Sequence, residues 1–96
     1  MTSTILTICN KKGLHARAAA KFVKVVAAHR AEVRVSKLAV GGEQEGEAVT
    51  GSSILGLMMF GADKGTKLKV SAEGEQADAV ALALKELVEN KFGEGE

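Results

Sequence analysis

Apolar and polar residues alternate along the chain with two different periods, and these periods predict seven elements. A period of two predicts strands over residues 4–8, 32–36, 47–50 and 66–73. The last of these has the clearest alternation, because Leu68, Val70 and Ala72 lie between lysine and serine residues. A helical period predicts helices over residues 16–28, 53–60 and 76–90.

The two longer predicted helices each carry one apolar stripe. The first stripe comprises Ala19, Phe22, Val23, Val26 and Ala27. The second comprises Ala77, Val80, Leu84, Leu87 and Val88. The element order is β-α-β-β-α-β-α, and the strands are short with one apolar face. This pattern predicts an α+β fold, an open-faced sandwich in which a mostly antiparallel four-stranded sheet carries three helices on one face. The 96 residues should form a single domain.

Composition narrows the possible functions. The chain has three Phe and no Trp or Tyr, which argues against single-stranded nucleic-acid binding because such proteins stack bases on aromatic rings. The one cysteine, Cys9, forms no intrachain disulfide and is interpreted as a small apolar residue at a strand end. One cysteine and two histidines, His15 and His29, are too few ligands for a structural zinc site. Neither a metal nor a cofactor is expected. No apolar run is long enough for a membrane span, and we expect a cytoplasmic monomer.

The net charge of +1 conceals an uneven distribution along the chain. Residues 1–30 contain six basic residues and no Asp or Glu, whereas residues 31–96 contain seven basic and twelve acidic residues. The basic block surrounds His15, and a field of one sign attracts anionic ligands or acidic partners. For Lys21 and Lys24 taken alone, a solvated helix face is the competing interpretation.

His15 is the candidate reactive residue. Gly13 allows a sharp turn, so His15 is predicted at the N-cap of the first helix or just inside it. There the first backbone amides lack internal partners and the helix dipole favours an anion, which suits a phosphoryl group. Arg17 in the same turn can donate two hydrogen bonds to phosphate, and imidazole is a good nucleophile near neutral pH. The alternative is a capping histidine without chemistry. His29, at the other end of the helix, is interpreted as structural or exposed.

Two segments resemble the HPr family, the phosphocarriers of the bacterial phosphotransferase system. Residues 13–19, Gly-Leu-His-Ala-Arg-Ala-Ala, are similar to the family's phosphohistidine signature. Residues 53–58, Ser-Ile-Leu-Gly-Leu-Met, are similar to its regulatory-serine helix, and a matching Gly-x-x-Lys-Gly turn follows at 61–65. The two motifs are in register, and the resemblance covers nearly the whole chain.

The resemblance implies that Enzyme I phosphorylates His15 on Nδ1, with phosphoenolpyruvate as the ultimate donor, and that the group then passes to an EIIA-type protein. Arg17 is the residue that assists the phosphate. We expect the backbone amides of Ala16, Arg17 and Ala18 to bind it as well. The family usually has proline at position 18, so Ala18 restores one amide donor. The segment 38–46 is longer than is usual in the family, and no function is assigned to it.

The resemblance also implies that Ser53 is a regulatory site, phosphorylated by a serine kinase that also acts as a phosphorylase. Ser52 is the competing candidate, and capping of the second helix by itself explains a serine at either position. A phosphate here would add about −1.5 to −2 charges.

The segment 54–60 is more apolar than a short surface helix needs, since six of its seven residues are apolar. Some of them should therefore point outward and form a docking surface. Leu57 and Phe60 are the residues that could belong to the core instead, and an entirely buried segment is the alternative. The predicted partner contacts are Leu14, Lys21, Lys24, Ile54, Leu55 and Met58.

Three classes of function remain to be weighed. The favoured one is a phosphocarrier, which partner phosphotransferases modify and which does not turn over as an enzyme. A binding-only regulatory relative that acts through its docking surface is the alternative, but such relatives lack the histidine that is present here as His15. A small hydrolase would need a carboxylate paired with His15, and residues 1–30 contain none. The sugar-uptake and nitrogen-related branches both remain open.

Overall fold

A computed structural model describes residues 2–38 and 48–93. The described strands are β1 (Thr2–Thr7), β2 (Glu32–Lys37), β3 (Val49–Thr50) and β4 (Lys67–Glu73). The helices are α1 (Ala16–Ala27), α2 (Ile54–Met58) and α3 (Ala77–Glu89), and a 3-10 turn follows at Lys91–Gly93. The predicted order of strands and helices is confirmed.

The strands form one antiparallel sheet in the order β1-β4-β2-β3. The register pairs Leu6 with Leu68 and Val35 with Val70, so the apolar positions of neighbouring strands lie on the same face. That face is buried in one core with α1, α2 and α3, while the alternate positions are more exposed. The predicted α+β sandwich with its helices on one face is confirmed.

The buried stripe of α1 differs slightly from the predicted one. Ala18, Ala19, Phe22 and Val26 are buried, and Val23 is half-buried. The assignment of Ala27 to the core is wrong, because the buried face centres on the line from Ala18 through Phe22 and Ala27 lies past its edge. In α3 the predicted core residues are buried except Leu87, which is half-buried against the core.

The ends of several elements differ from the prediction by one or two residues. β1 begins at Thr2 rather than residue 4 because its ladder with β4 extends to Ala72. α2 is shorter than predicted because Ser53 and Met59 are its caps. Residue 47 of the predicted third strand and all but the first residue of segment 38–46 lie outside the described residues.

The 3-10 turn after α3 was not predicted. Lys91 and Phe92 both have φ of 55°, a conformation that L-residues rarely adopt. These residue types therefore do not indicate such a turn in the sequence. Phe92 is fully buried, and its carbonyl accepts a hydrogen bond of 2.6 Å from Lys21 Nζ. α1 is therefore tied to the end of the described chain. Residues 94–96 lie outside the described part.

Cys9 follows β1 and is half-buried against α3, where its Sγ donates to the carbonyl of Val88 at 3.1 Å. This position at the end of a strand is the predicted one. Among the helices that the structure describes, none has the length and apolarity to span a bilayer.

Candidate functional site

The turn that precedes α1 is held by several hydrogen bonds. Gly13 N–H donates to the carbonyl of Asn10 at 3.2 Å, and Asn10 Nδ2 donates to the carbonyl of Gly13 at 2.8 Å. Gly13 has φ of 71°, and a Cβ there would overlap the carbonyl oxygen of Ala62. That carbonyl accepts a bond of 2.8 Å from Leu14 N–H. The turn is therefore fastened to the segment that follows α2.

His15 is the N-cap of α1, as predicted. Its backbone is extended, with φ of −82° and ψ of −179°, and its carbonyl accepts the first helical bond from Ala19 N–H at 2.8 Å. Its Nδ1 accepts a hydrogen bond of 3.2 Å from Arg17 N–H, so Nδ1 carries a lone pair directed at the helix. The side chain is half-exposed. His15 thus presents a nucleophilic nitrogen at the positive end of a helix dipole.

The first turn of α1 favours an anion beside this nitrogen. The amides of Ala16, Arg17 and Ala18 lie where a helix has no internal carbonyl to accept them. No acidic residue occupies the turn, and the Arg17 side chain is exposed to solvent. The structure therefore brings the predicted phosphate-binding residues to one place.

Two of the predicted partner contacts are engaged inside the molecule. Leu14 is only 5% exposed because its side chain packs in the apolar core, to which Ala62 also belongs. Lys21 is half-buried, and its ammonium group is committed to the carbonyl of Phe92. Both placements count against these side chains as contact residues. Lys24 is exposed in the last turn of α1.

The segment 54–60 is partly exposed, as predicted. Leu57 is fully buried and Phe60 is half-buried, so the alternative of an entirely buried segment is wrong. We define the α2 patch as the exposed apolar side chains of this segment. They are Ile54 (41% exposed), Leu55 (69%), Met58 (41%) and Met59 (78%). Met59 was missed, although it lies one helical turn after Leu55 and its spacing could have identified it. α2 packs against α1, the helix that begins beside His15.

Ser53 is the N-cap of α2, where its Oγ accepts from Gly56 N–H at 3.0 Å. Ser52 is exposed, and its hydroxyl lies 2.9 Å from Thr50 Oγ1. Of the two candidate serines, Ser53 is therefore the one that caps the helix beside the α2 patch.

His29 lies near the opposite end of α1 and is half-buried, with Nδ1 2.8 Å from the carbonyl oxygen of Val25. Since a carbonyl only accepts, Nδ1 is the donor. His29 therefore has a local structural contact, as interpreted from the sequence. Within residues 2–38 and 48–93, no group of three His, Cys, Asp or Glu side chains is placed to hold a metal ion.

Comparison with known proteins gives one family. The family model described as "PTS HPr component phosphorylation site" matches residues 2–90. Phosphocarrier protein HPr of Pseudomonas aeruginosa is 48% identical over 96 residues, all of both chains. Phosphocarrier protein NPr of Shewanella violacea is 39% identical over 89 residues, 93% of this chain and 90% of that protein.

Solved structures agree with the family match. The crystal structure of HPr-C-His from Thermoanaerobacter tengcongensis superposes with a TM-score of 0.84 at 37% identity and covers 98% of both chains. Sequence, family model and fold all match over nearly the whole chain. The chain therefore belongs to the HPr family, the phosphocarrier proteins of the bacterial phosphotransferase system.

Proposed function

We propose that this chain is a cytoplasmic, monomeric carrier that accepts a phosphoryl group on Nδ1 of His15 from phospho-Enzyme I and passes it to an EIIA-type protein. Phosphoenolpyruvate is the ultimate donor. The chain is modified and regenerated by its partners and does not turn over as an enzyme alone. The observation that carries the proposal is the position of Nδ1, which faces Arg17 N–H at 3.2 Å at the start of α1.

In the proposed step, the Nδ1 lone pair attacks phosphorus, a P–N bond forms, and the bond from phosphorus to Enzyme I breaks with its electron pair left on the donor. The lone pair is directed at Arg17 N–H before transfer, so this hydrogen bond must be released. The same amide then donates to a phosphoryl oxygen, together with the amides of Ala16 and Ala18. The Arg17 guanidinium adds a charge-assisted pair. Transfer to the acceptor reverses these changes.

The α2 patch is the proposed docking surface. It offers exposed leucine, isoleucine and two methionines, and methionine repacks well against different partners. Lys24 adds a positive charge on the neighbouring helix, which favours an apolar partner surface with an acidic rim. Donor and acceptor must both reach His15, so they use this surface in turn rather than together.

Regulation is proposed at Ser53. A phosphate on its hydroxyl would lie at the N-terminus of α2 and place about −1.5 to −2 charges beside the α2 patch. Docking of a partner that prefers a basic, apolar face should then weaken. Ser53→Asp should raise the KM for this chain in the Enzyme I reaction, whereas Ser52→Asp, one residue away, serves as the control for charge alone. Wild-type kinetics for Ser53→Asp would contradict the regulatory role.

The transfer itself is tested with phosphoenolpyruvate, magnesium and each Enzyme I of the sugar and nitrogen-related branches. Wild type and His29→Ala should acquire an acid-labile, alkali-stable phosphate, and His15→Ala should acquire none. His29 is the matched control because it is the only other histidine in the sequence. Binding of Enzyme I without transfer would favour the binding-only alternative. Phosphate retained in His15→Ala would place the acceptor elsewhere.

A further inference from the structure

Asn10 is a fully buried polar residue, at 0% exposure, and it begins the turn of residues 10–13 that precedes His15. Its Nδ2 donates to the carbonyl oxygen of Gly13 at 2.8 Å. The same carbonyl oxygen accepts the backbone N–H of His15 at 3.0 Å. One carbonyl therefore joins a buried side chain to the backbone of the reactive histidine.

Burial of an amide N–H is costly unless it donates a hydrogen bond, so the bond of 2.8 Å from Nδ2 to the Gly13 carbonyl favours this orientation of the Asn10 side chain. The turn is closed a second time by Gly13 N–H, which donates to the Asn10 carbonyl at 3.2 Å. On its other side Leu14 N–H is held by Ala62 at 2.8 Å. The Gly13 carbonyl and the Leu14 N–H belong to one peptide group, so these bonds hold that peptide on both sides, and the bond from His15 N–H attaches the histidine backbone to it.

We propose that Asn10 is a positioning residue for phosphoryl transfer. Its side-chain amide holds the Gly13 carbonyl, and through it the His15 backbone, in the orientation that directs Nδ1 at the first-turn amides of α1. Asn10 acts through Gly13 and does not touch the phosphoryl group. The inference rests on the proposed function of His15, because positioning matters only if Nδ1 is the acceptor.

Because Asn10 lies away from the proposed docking surface, its effect on the position of His15 can be measured separately from partner binding. Asn10 is the buried first residue of the turn, whereas the α2 patch is exposed on another segment. Loss of the amide should therefore lower the rate of the chemical step and leave partner affinity largely unchanged. Misplacement of a reacting atom by about 1 Å can cost a factor on the order of 100 in rate, so a smaller tilt of the ring should cost roughly 10-fold.

The test compares Asn10→Ala and Asn10→Asp with Val80→Ala. Aspartate keeps the shape of asparagine, but its carboxylate cannot donate to Gly13. Val80 is fully buried in α3 and serves as a control for lost stability. With Enzyme I, both Asn10 variants should lower kcat about 10-fold with KM within about twofold of wild type. Val80→Ala should leave kcat within about twofold.

If Asn10→Ala does not fold, Asn10→Ser replaces it, because serine keeps a shorter hydrogen-bond donor. Its kcat is then compared with that of the wild type at a temperature where both proteins are folded. A second readout needs no phosphorylation: the amide proton shift of Arg17 in ¹H–¹⁵N spectra should move in the Asn10 variants, because the bond to Nδ1 changes. Wild-type kcat together with an unchanged Arg17 shift would overturn the inference. An equal loss of kcat in Val80→Ala would also overturn it. If no Enzyme I phosphorylates the wild type, the proposed function fails, and the Arg17 shift alone decides the positional claim.

Discussion

Replacement of Gly13 by alanine tests how tightly the turn of residues 10–13, which precedes His15, is fastened to the segment after α2. Gly13 has φ of 71°, and its added Cβ would overlap the carbonyl oxygen of Ala62. Gly61 is a matched control, because its φ of 59° is also left-handed while a Cβ there meets no atom within 4 Å. The two substitutions therefore share the conformational penalty and differ in the steric one.

The expected magnitudes follow from this difference. A left-handed conformation costs an L-residue about 1–2 kcal/mol, which is the full effect expected for Gly61→Ala. At Gly13 the Cβ meets backbone, which cannot rotate away as a side chain could. Overpacking of this kind adds about 1–3 kcal/mol. Gly13→Ala should thus lower the free energy of unfolding by about 2–5 kcal/mol, and the bond from Leu14 N–H to Ala62 should lengthen or break.

Urea unfolding of wild type and both variants measures these losses, with the m-value used to check that unfolding stays two-state. Phosphorylation by Enzyme I is then measured at a temperature where all three proteins are folded. Gly13→Ala should accept phosphate more slowly, because His15 follows the displaced turn, and Gly61→Ala should not. Equal losses of stability in the two variants would refute the contact between Gly13 and Ala62.

Three further outcomes are expected. Ala18→Pro removes one amide donor from the first turn of α1. In a hydrolysis time course, the phosphohistidine of this variant should therefore lose its phosphoryl group about two- to tenfold faster. An unchanged lifetime would exclude this amide as a ligand. Leu55→Ser should raise the KM with Enzyme I about 10-fold at nearly constant stability, whereas Leu57→Ala should lower the free energy of unfolding by about 2–5 kcal/mol in urea. Ser53→Ala should cost about 1 kcal/mol through the lost cap, and Ser52→Ala less than about 0.5 kcal/mol; equal costs would contradict the capping assignment.

The sheet and helices could be predicted from local patterns because each element buries one face against a shared core. Leu68, Val70 and Ala72 alternate, and they are buried where the pattern placed them. The N-cap position of His15 was also predictable, because Gly13 and the start of the helix lie within a few residues of it. Local spacing determines these features, so a single sequence contains the necessary information.

Features that depend on distant partners were not predictable. Lys21 has the spacing of an exposed helix residue, but its partner Phe92 is 71 positions away in sequence. Leu14 packs in the core and its backbone is bonded to Ala62, and no local pattern indicates either contact. The positive-φ turn that contains Phe92 has no glycine at its first two positions and so gave no signal.

The geometry at His15 also explains why the proposed site can release a phosphoryl group to an acceptor as well as receive one. Arg17 N–H is hydrogen-bonded to Nδ1 in the structure, and in the proposed transfer it exchanges this bond for one to a phosphoryl oxygen. The gain from that amide is therefore the difference between two hydrogen bonds rather than the full energy of the new one. The exposed Arg17 side chain adds an interaction that solvent weakens. Both effects lower the net stabilisation of the bound phosphoryl group, which favours its release to an acceptor.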